Sequence, residues 1–399
     1  MRVLITNGQN RIAYAALRSL GCRGISVCAA DFIPWAMCFS SRYCQGHFRY
    51  PSPFRKPQEC INSLIENGRR QNCRILLPIY EETFLIAKYQ DRLKSHFSLA
   101  VPEYEKMLMV HDKKRLYEIA QRLEIPTPRF AALSAPHPSH YPWLEEARYP
   151  LWLKPRQGGG AWAVVPVASF EELLRRWTRP DLPYGLPPDR FLVQEHVPGP
   201  IFCVAMLFCQ GKLRARFTYR QVRNYPLQGG VATLRVSDRH QGAESSLQRL
   251  LEALEWHGVC QADFAVDQES GLAYLLDVNP RFWSATHLAV ICGVDFPYLV
   301  YQLAAFGDIE PALEHPIGIQ SRWFWGELRA FWEAFRQPGE RIKALKTYSR
   351  IRGADSHFDD LCLKDPLPPL VFFIDSLRRM LKQRSLTLRP HDSLDGVWE

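Results

Sequence analysis

The 399-residue chain has no apolar run near the roughly 20 residues that a membrane-spanning helix requires, which excludes an integral membrane protein of the helical kind. None of its 11 cysteines forms a C-x-x-C pair, and their number is odd. Neither a disulfide framework nor a structural zinc site is therefore expected, and the cysteines read as buried filler in a reducing cytoplasm. The opening Met1-Arg2-Val3-Leu4-Ile5-Thr6 reads as a strand entering an Asn-Gly turn, not as a secretory leader. The absence of a G-x-x-x-x-G-K-[ST] loop excludes a P-loop NTPase. The first turn, Asn7-Gly8-Gln9-Asn10, also lacks the glycine spacing of a dinucleotide site. There is no internal repeat, low-complexity run, zinc finger or RNP-type aromatic signature.

What is present is a basic, well-patterned chain. Fifty Lys and Arg against 41 Asp and Glu give a formal charge of +9, a bias that suits nucleic acid, an anionic surface or a small anionic ligand. The densest basic stretch is Lys212, Arg214, Arg216, Arg220, Arg223, Arg235 and Arg239, on strand-like sequence. Without a nucleic-acid motif beside it, no nucleic-acid partner is expected, and a compact polyanion such as a nucleoside triphosphate fits the charge equally well.

The length and a hydrophobic content of 47% allow two or three domains. Strand-like runs at Val3–Thr6, Ile25–Ala30, Arg74–Leu77 and Phe97–Val101 alternate with helical periods at Ile12–Leu20, Pro57–Arg70 and Glu81–Ser95, the pattern of parallel βαβ units. A helix over Asp112–Leu123 must stop at Ile125-Pro126-Thr127-Pro128. Beyond it, Ile201–Cys209 and Lys212–Tyr219 read as strands turning at Gln210-Gly211. Ala243–His257 reads as a helix, and Val259–Val266 and Leu272–Val278 as a hairpin. The aromatic-rich tail reads as helical. Its segment Pro368–Arg384 is basic and amphipathic, and it is expected to dock on the body of the protein or on a second subunit in preference to a membrane.

Three segments carry chemistry. In the hairpin, Asp263 lies mid-strand, where Asp is depleted. If the strands pair, Asp263, Asp277 and Asn279 share one face and offer the hard oxygen ligands that Mg²⁺ uses beside phosphate. Arg281, two residues on, is a permanent cation. The second segment is Lys154-Pro155-Arg156-Gln157-Gly158-Gly159-Gly160, a lysine before a glycine loop whose N–H groups can close over phosphates, though such a loop also reads as a plain turn. The third is Val193-Gln194-Glu195-His196-Val197-Pro198-Gly199, an acid at a strand end followed by an extended turn, which could meet an adenine edge.

In order and spacing these segments resemble the ATP-grasp superfamily, the fold of biotin carboxylase, carbamoyl-phosphate synthetase and D-alanine–D-alanine ligase. The leader His111-Asp112-Lys113-Lys114 with Ile125-Pro126-Thr127-Pro128 is similar to the family's own, and the resemblance covers about residues 1–310. It implies an α/β chain (α+β in the catalytic part), with a parallel-sheet pre-ATP-grasp domain over 1–110. An ATP-grasp domain would follow over 111–310, its lid at about 125–195, and then a helical extension over 311–399.

Carried over by position, Lys113 and Lys154 would hold ATP phosphates under Gly158, Gly159 and Gly160. Glu195 would meet the adenine amino group, and the backbone of His196 and Val197 would line the slot. Asp263, Asp277 and Asn279 would bind Mg²⁺, two ions being expected and Mn²⁺ an allowed substitute. Arg281, Arg220 and Arg235 would be catalytic, Arg220 and Arg235 near the γ-phosphate and acceptor carboxylate.

The implied reaction is phosphorylation of a substrate carboxylate to an acyl-phosphate and its capture by an amino-acid-like amine, giving an amide, ADP and phosphate. The acceptor pocket would draw on Phe282–His287, with His287 read as a polar residue at a helix start in preference to a general base for the amine. Two departures stand out, Trp162 in the glycine loop and Phe202 where the peptide-ligase branch has an acid for the ribose. They leave a nucleotide-binding regulator with a degenerate site as the alternative. A homodimer stays open.

Overall fold

The computed structural model describes residues 1–133, 140–158, 164–178, 182, 187–227, 229–339, 341–349 and 356–383. The expected Gly159, Gly160, Trp162 and Arg384 lie outside them. At the N-terminus, β1 (Arg2–Ile5), β2 (Val27–Asp31), β3 (Cys44–Arg49) and β4 (Cys73–Leu77) pair in parallel in the order β3-β2-β1-β4. The inner strands are apolar because both faces are covered. The helix Arg11–Cys22 packs here, its first turn capped by Asn10, whose side chain accepts the Ile12 N–H. Three of the four expected strands are found within two residues of their places. Phe97–Val101 is not a strand: it makes one bridge, Ser98 to Ile75. The sequence pattern missed β3, a polar edge strand with alternate residues exposed. The helix expected over Glu81–Ser95 is two pieces, Glu82–Lys88 and Gln90–Lys94.

A second, antiparallel sheet joins β5 (Phe130–Ala132), β6 (Leu151–Pro155), β7 (Val165–Val167) and β8 (Phe191–Gln194) in the order β5-β8-β6-β7. It has its own small core, built on Leu144, Leu151, Leu153, Leu173 and Phe191.

The largest sheet comprises β9 (Ile201–Cys209), β10 (Lys212–Tyr225), β11 (Val231–Ser237), β12 (Gly258–Val266), β13 (Ala273–Asn279), β14 (Gln320–Arg322) and β15 (Ser356–Phe358). Its order is β13-β12-β9-β10-β11-β14-β15. Alternation of side chains gives it two buried faces. Phe208, Cys260, Ala262 and Phe264 pack with Leu247 and Leu250 of the helix Gln241–Ala253. On the other face, Ala205, Leu207, Phe217 and Val259 pack with Leu288 and Phe296 and with the N-terminal strands.

The segment after residue 311, read as helical, also supplies β14 and β15 to this sheet. Fully buried Arg235 of β11 is ion-paired to Asp359 and hydrogen-bonded to Ser321 and the Ala232 carbonyl. The Arg11 guanidinium lies 4.4 Å from the Trp323 ring centroid. Arg223 and Arg322 share the Glu327 carboxylate. The helix Leu367–Gln383 docks on the N-terminal sheet region as expected, and its buried side mixes Pro368, Pro369 and Phe372 with polar Asp375 and Ser376. Gln9 donates to Asp375 at 3.1 Å, while Ser41 and the Tyr14 hydroxyl donate to Asp365 just before the helix. Among the described residues no helix is long and apolar enough to cross a membrane.

Removing one partner from a buried ion pair strands the other charge. Asp359→Ala should therefore lower stability by about 3–5 kcal/mol in urea titration, while the paired change Arg235→Met/Asp359→Leu should recover most of the loss. Equal stability of the two variants would rule out the fastening role.

Candidate active site

The β12–β13 register sets Asp263 directly opposite Asp277 and Gln261 opposite Asn279, so the three expected ligands share one face of the sheet. That face forms the floor of a cavity of about 320 Å³ whose lining includes Lys113, Lys154, Gly158, Asp263, Asp277, Asn279 and Arg281. The floor is hydrogen-bonded throughout. Asn279 donates to Gln261, Gln261 donates to Asp263 at 2.8 Å, and the Cys203 thiol donates to the same carboxylate oxygen at 2.9 Å. Burial pushes the Asp263 carboxyl above its ordinary range; the Cys203 hydrogen bond opposes this and the Asp277 charge adds to it.

Cations answer those carboxylates. Lys113 Nζ lies 3.3 Å from Asp277 and donates to the Gly158 carbonyl at 3.0 Å. Asp112 caps the helix Lys113–Arg122 by accepting the Lys114 and Arg115 N–H groups. Its other oxygen holds Arg156 at 2.7 Å. Backbone bonds lock the junction: Lys113 N–H to the Arg156 carbonyl, and Gly158 N–H to His111 Nε2. Burial, with Lys113 second, holds the His111 pKa down to about 3, so the ring is the neutral acceptor this bond requires. The antiparallel sheet of β5–β8 thus delivers Lys154 beside Lys113. Burial first, then the Lys113 charge, lowers the Lys154 pKa to about 8, against the pull of Asp277 and Asp263.

Arg281, 8% exposed, is held by Glu81 at 2.7 Å and lies 4.2 Å over the Tyr80 ring. The N-terminal sheet region therefore supplies one wall of the cavity. Trp283 and Ser284 line it as expected, together with Gln221, Asn224, Gly229 and Gly230.

Four expectations are corrected. Arg220 is on the reverse face of β10: its neighbours Tyr219 and Gln221 line the cavity, while Arg220 binds Asp238 at 3.1 Å. Arg235 faces the cavity side of the sheet but is consumed by Asp359, Ser321 and Ala232. Glu195 turns outward into a two-pronged pair with Arg129, at 2.6 and 2.9 Å. The inward side chain is its predecessor Gln194, 1% exposed and accepting from Tyr117, whose hydroxyl also reaches the Leu276 carbonyl. Phe202 points into the opposite core against His240, and Ile201 meets the cavity. His196 accepts from Trp152 Nε1, and His287 stays off the cavity at the start of the helix Thr286–Ile291.

Sequence reasoning missed Gln261, Gln221, Tyr80, Glu81, Tyr117 and His111. Gln261 was within reach, since it stands two residues before Asp263 on the same face. Glu81 carried no local signal, because its partner is 200 residues away.

Residues 188–324 match the family model described as "ATP-grasp in the biosynthetic pathway with Ter operon". No match was found among curated proteins. Among solved structures, a biotin carboxylase from Campylobacter jejuni is 16% identical with a TM-score of 0.63, covering 78% of this chain and 72% of that one. An L-amino acid ligase from Bacillus licheniformis is 17% identical with a TM-score of 0.56, over 78% and 77% of the two chains. An N5-carboxyaminoimidazole ribonucleotide synthetase from Thermus thermophilus is 17% identical with a TM-score of 0.58, over 80% and 81%. At such identities the likeness is one of fold. Residues 188–324 thus carry the ATP-grasp family match, and the chain as a whole has the ATP-grasp fold.

Proposed function

We propose that the protein is an ADP-forming ligase that converts a carboxylate to an acyl-phosphate with ATP and joins it to an amine. One observation carries the reading: the facing carboxylates Asp263 and Asp277, with Asn279, share a cavity with Lys113, Lys154 and Arg281. Two carboxylates and a carboxamide are a hard oxygen donor set that fits Mg²⁺, and these three residues would hold it. Bound there, Mg²⁺ would offset the charge of the phosphate oxygens.

The chain's own residues do the rest. Lys113 and Lys154 bind and orient the triphosphate, and the lysine amines supply charge where water is scarce. The backbone of His196 and Val197 frames the adenine, with Gln194 and Tyr117 beneath it in place of the Glu195 side chain. A free carboxylate is a poor electrophile because oxide would have to leave; phosphorylation gives it phosphate as leaving group. Arg281, held in one orientation by Glu81 and Tyr80, neutralises the phosphoryl group and then the oxyanion formed when the amine attacks. Closure of the cavity over the acyl-phosphate would keep water from it. The amine end draws on Gln221, Asn224, Trp283 and Ser284, which are uncharged.

The decisive assay is product analysis across paired carboxylate and amine libraries. ADP and phosphate should be released only when both are present, and AMP with pyrophosphate would refute the mechanism. Asp277→Asn should lower turnover by about a hundredfold or more, with an unchanged circular dichroism spectrum; wild-type turnover would remove Asp277 from the site. The sign of the Lys154 effect is also fixed. Free Lys154 loses its proton above about 8, and a bound triphosphate stabilises the charged form. ATP binding between that pH and the ordinary lysine range should therefore take up a proton, measurable by calorimetry in buffers of different ionisation enthalpy. The uptake should vanish in Lys154→Met.

A further inference from the structure

The helix Leu367–Gln383 buries a mixed side, Pro368, Pro369, Asp375 and Ser376 with Phe372 against the core, and leaves an apolar stripe outward. Asp375 and Ser376 are buried against the body. Leu367 and Leu370 are 55% and 52% exposed, and Ile374 and Leu377 follow at the same one-sided spacing, with fully exposed Leu363 before them. Phe373 widens the stripe and stacks on Trp325 at 4.7 Å. Three and seven residues beyond Trp325 on its own helix (Phe324–Arg336), Leu328 and Trp332 are exposed in turn. At the other side, half-exposed Trp35 lies under the Arg378 guanidinium at 5.3 Å. An apolar strip of this extent exceeds the scattered exposed leucines of an ordinary surface.

The exposed charge along the segment of the stripe itself is basic. Between residues 361 and 378, Lys364 and Arg378 are exposed, against Asp365 and Asp375. Both acids are buried, bonded to Ser41 and Gln9, so they offer nothing to a partner. Exposed Arg42, bonded to the Lys364 carbonyl, adds to the same edge. Outward leucines, a phenylalanine and tryptophans flanked by cations are the composition of a surface that lies in the headgroup region of an anionic bilayer. A second copy fits less well. Two such faces would bring their cations together, and the stripe from 363 to 377 spans only two heptads, short of what a coiled-coil seam needs.

We infer that the outer face of the helix Leu367–Gln383, with Trp35 and Trp332 at its margins, is a peripheral binding surface for anionic lipid. The apolar strip enters the headgroup layer, and Lys364, Arg378 and Arg42 meet lipid phosphates. The helix lies on the bilayer and does not cross it.

The test uses flotation of the full chain with phosphatidylcholine vesicles containing about one part in three phosphatidylglycerol, beside pure phosphatidylcholine vesicles. The protein should float with the anionic vesicles, and about tenfold less with neutral ones or at high salt. Leu370→Glu/Ile374→Glu should reduce binding by about tenfold or more without shifting the melting temperature, since both side chains already face water. Failure of the wild-type chain to bind anionic vesicles, or undiminished binding by the double variant, overturns the proposal. A wild-type dimer in sedimentation that the same double change dissolves, with no vesicle binding, assigns the face to a second copy instead.

Discussion

Two carboxylates placed opposite each other on neighbouring strands repel, and the architecture around Asp263 and Asp277 is organised to tolerate that. Cys203 and Gln261 donate to one, and Lys113 lies against the other. Lys113 is in turn fixed by the helix that Asp112 caps, and the same aspartate grips the antiparallel sheet of β5–β8 through Arg156. The polar floor, that sheet and the helix after residue 112 therefore depend on one cluster of opposed charges.

The arginines show where the basic character of the chain goes. Arg223 and Arg322 converge on Glu327, Arg235 lies against Asp359, Arg220 against Asp238 and Arg281 against Glu81. A stretch that reads as a cationic ladder in one dimension is, in the fold, largely a set of fastenings between the central sheet and the segments that follow it. Arg281 alone among these five also lines the cavity.

Local pattern made much of this legible. The parallel sheet announced itself through apolar runs alternating with helical periods, and the metal-type trio through the two-residue spacing of Asp277 and Asn279 across from Asp263. What failed were questions of parity and distance. Glu195 and Gln194 differ by one residue, and nothing nearby says which faces inward. Arg220 sits between two cavity-lining neighbours for the same reason. Arg235 finds its partner 124 residues later, and β14 and β15 are three-residue strands with polar members, too short to show a period. Phe202 had suggested a damaged nucleotide site. Its ring lies in the opposite core, so it does not intrude on the cavity.

The bonds between Asp112 and Arg156, and between Lys113 and Gly158, also constrain motion. A sheet sewn to a helix start at the very end that carries Lys154 does not open like a flap hinged at its root. Widening the entrance must either break those stitches or swing helix and sheet as one piece. In the second case the pivot falls outside that sheet, and Lys113 and Lys154 leave or approach Asp277 together. The positive charge at the cavity would then switch in a single movement.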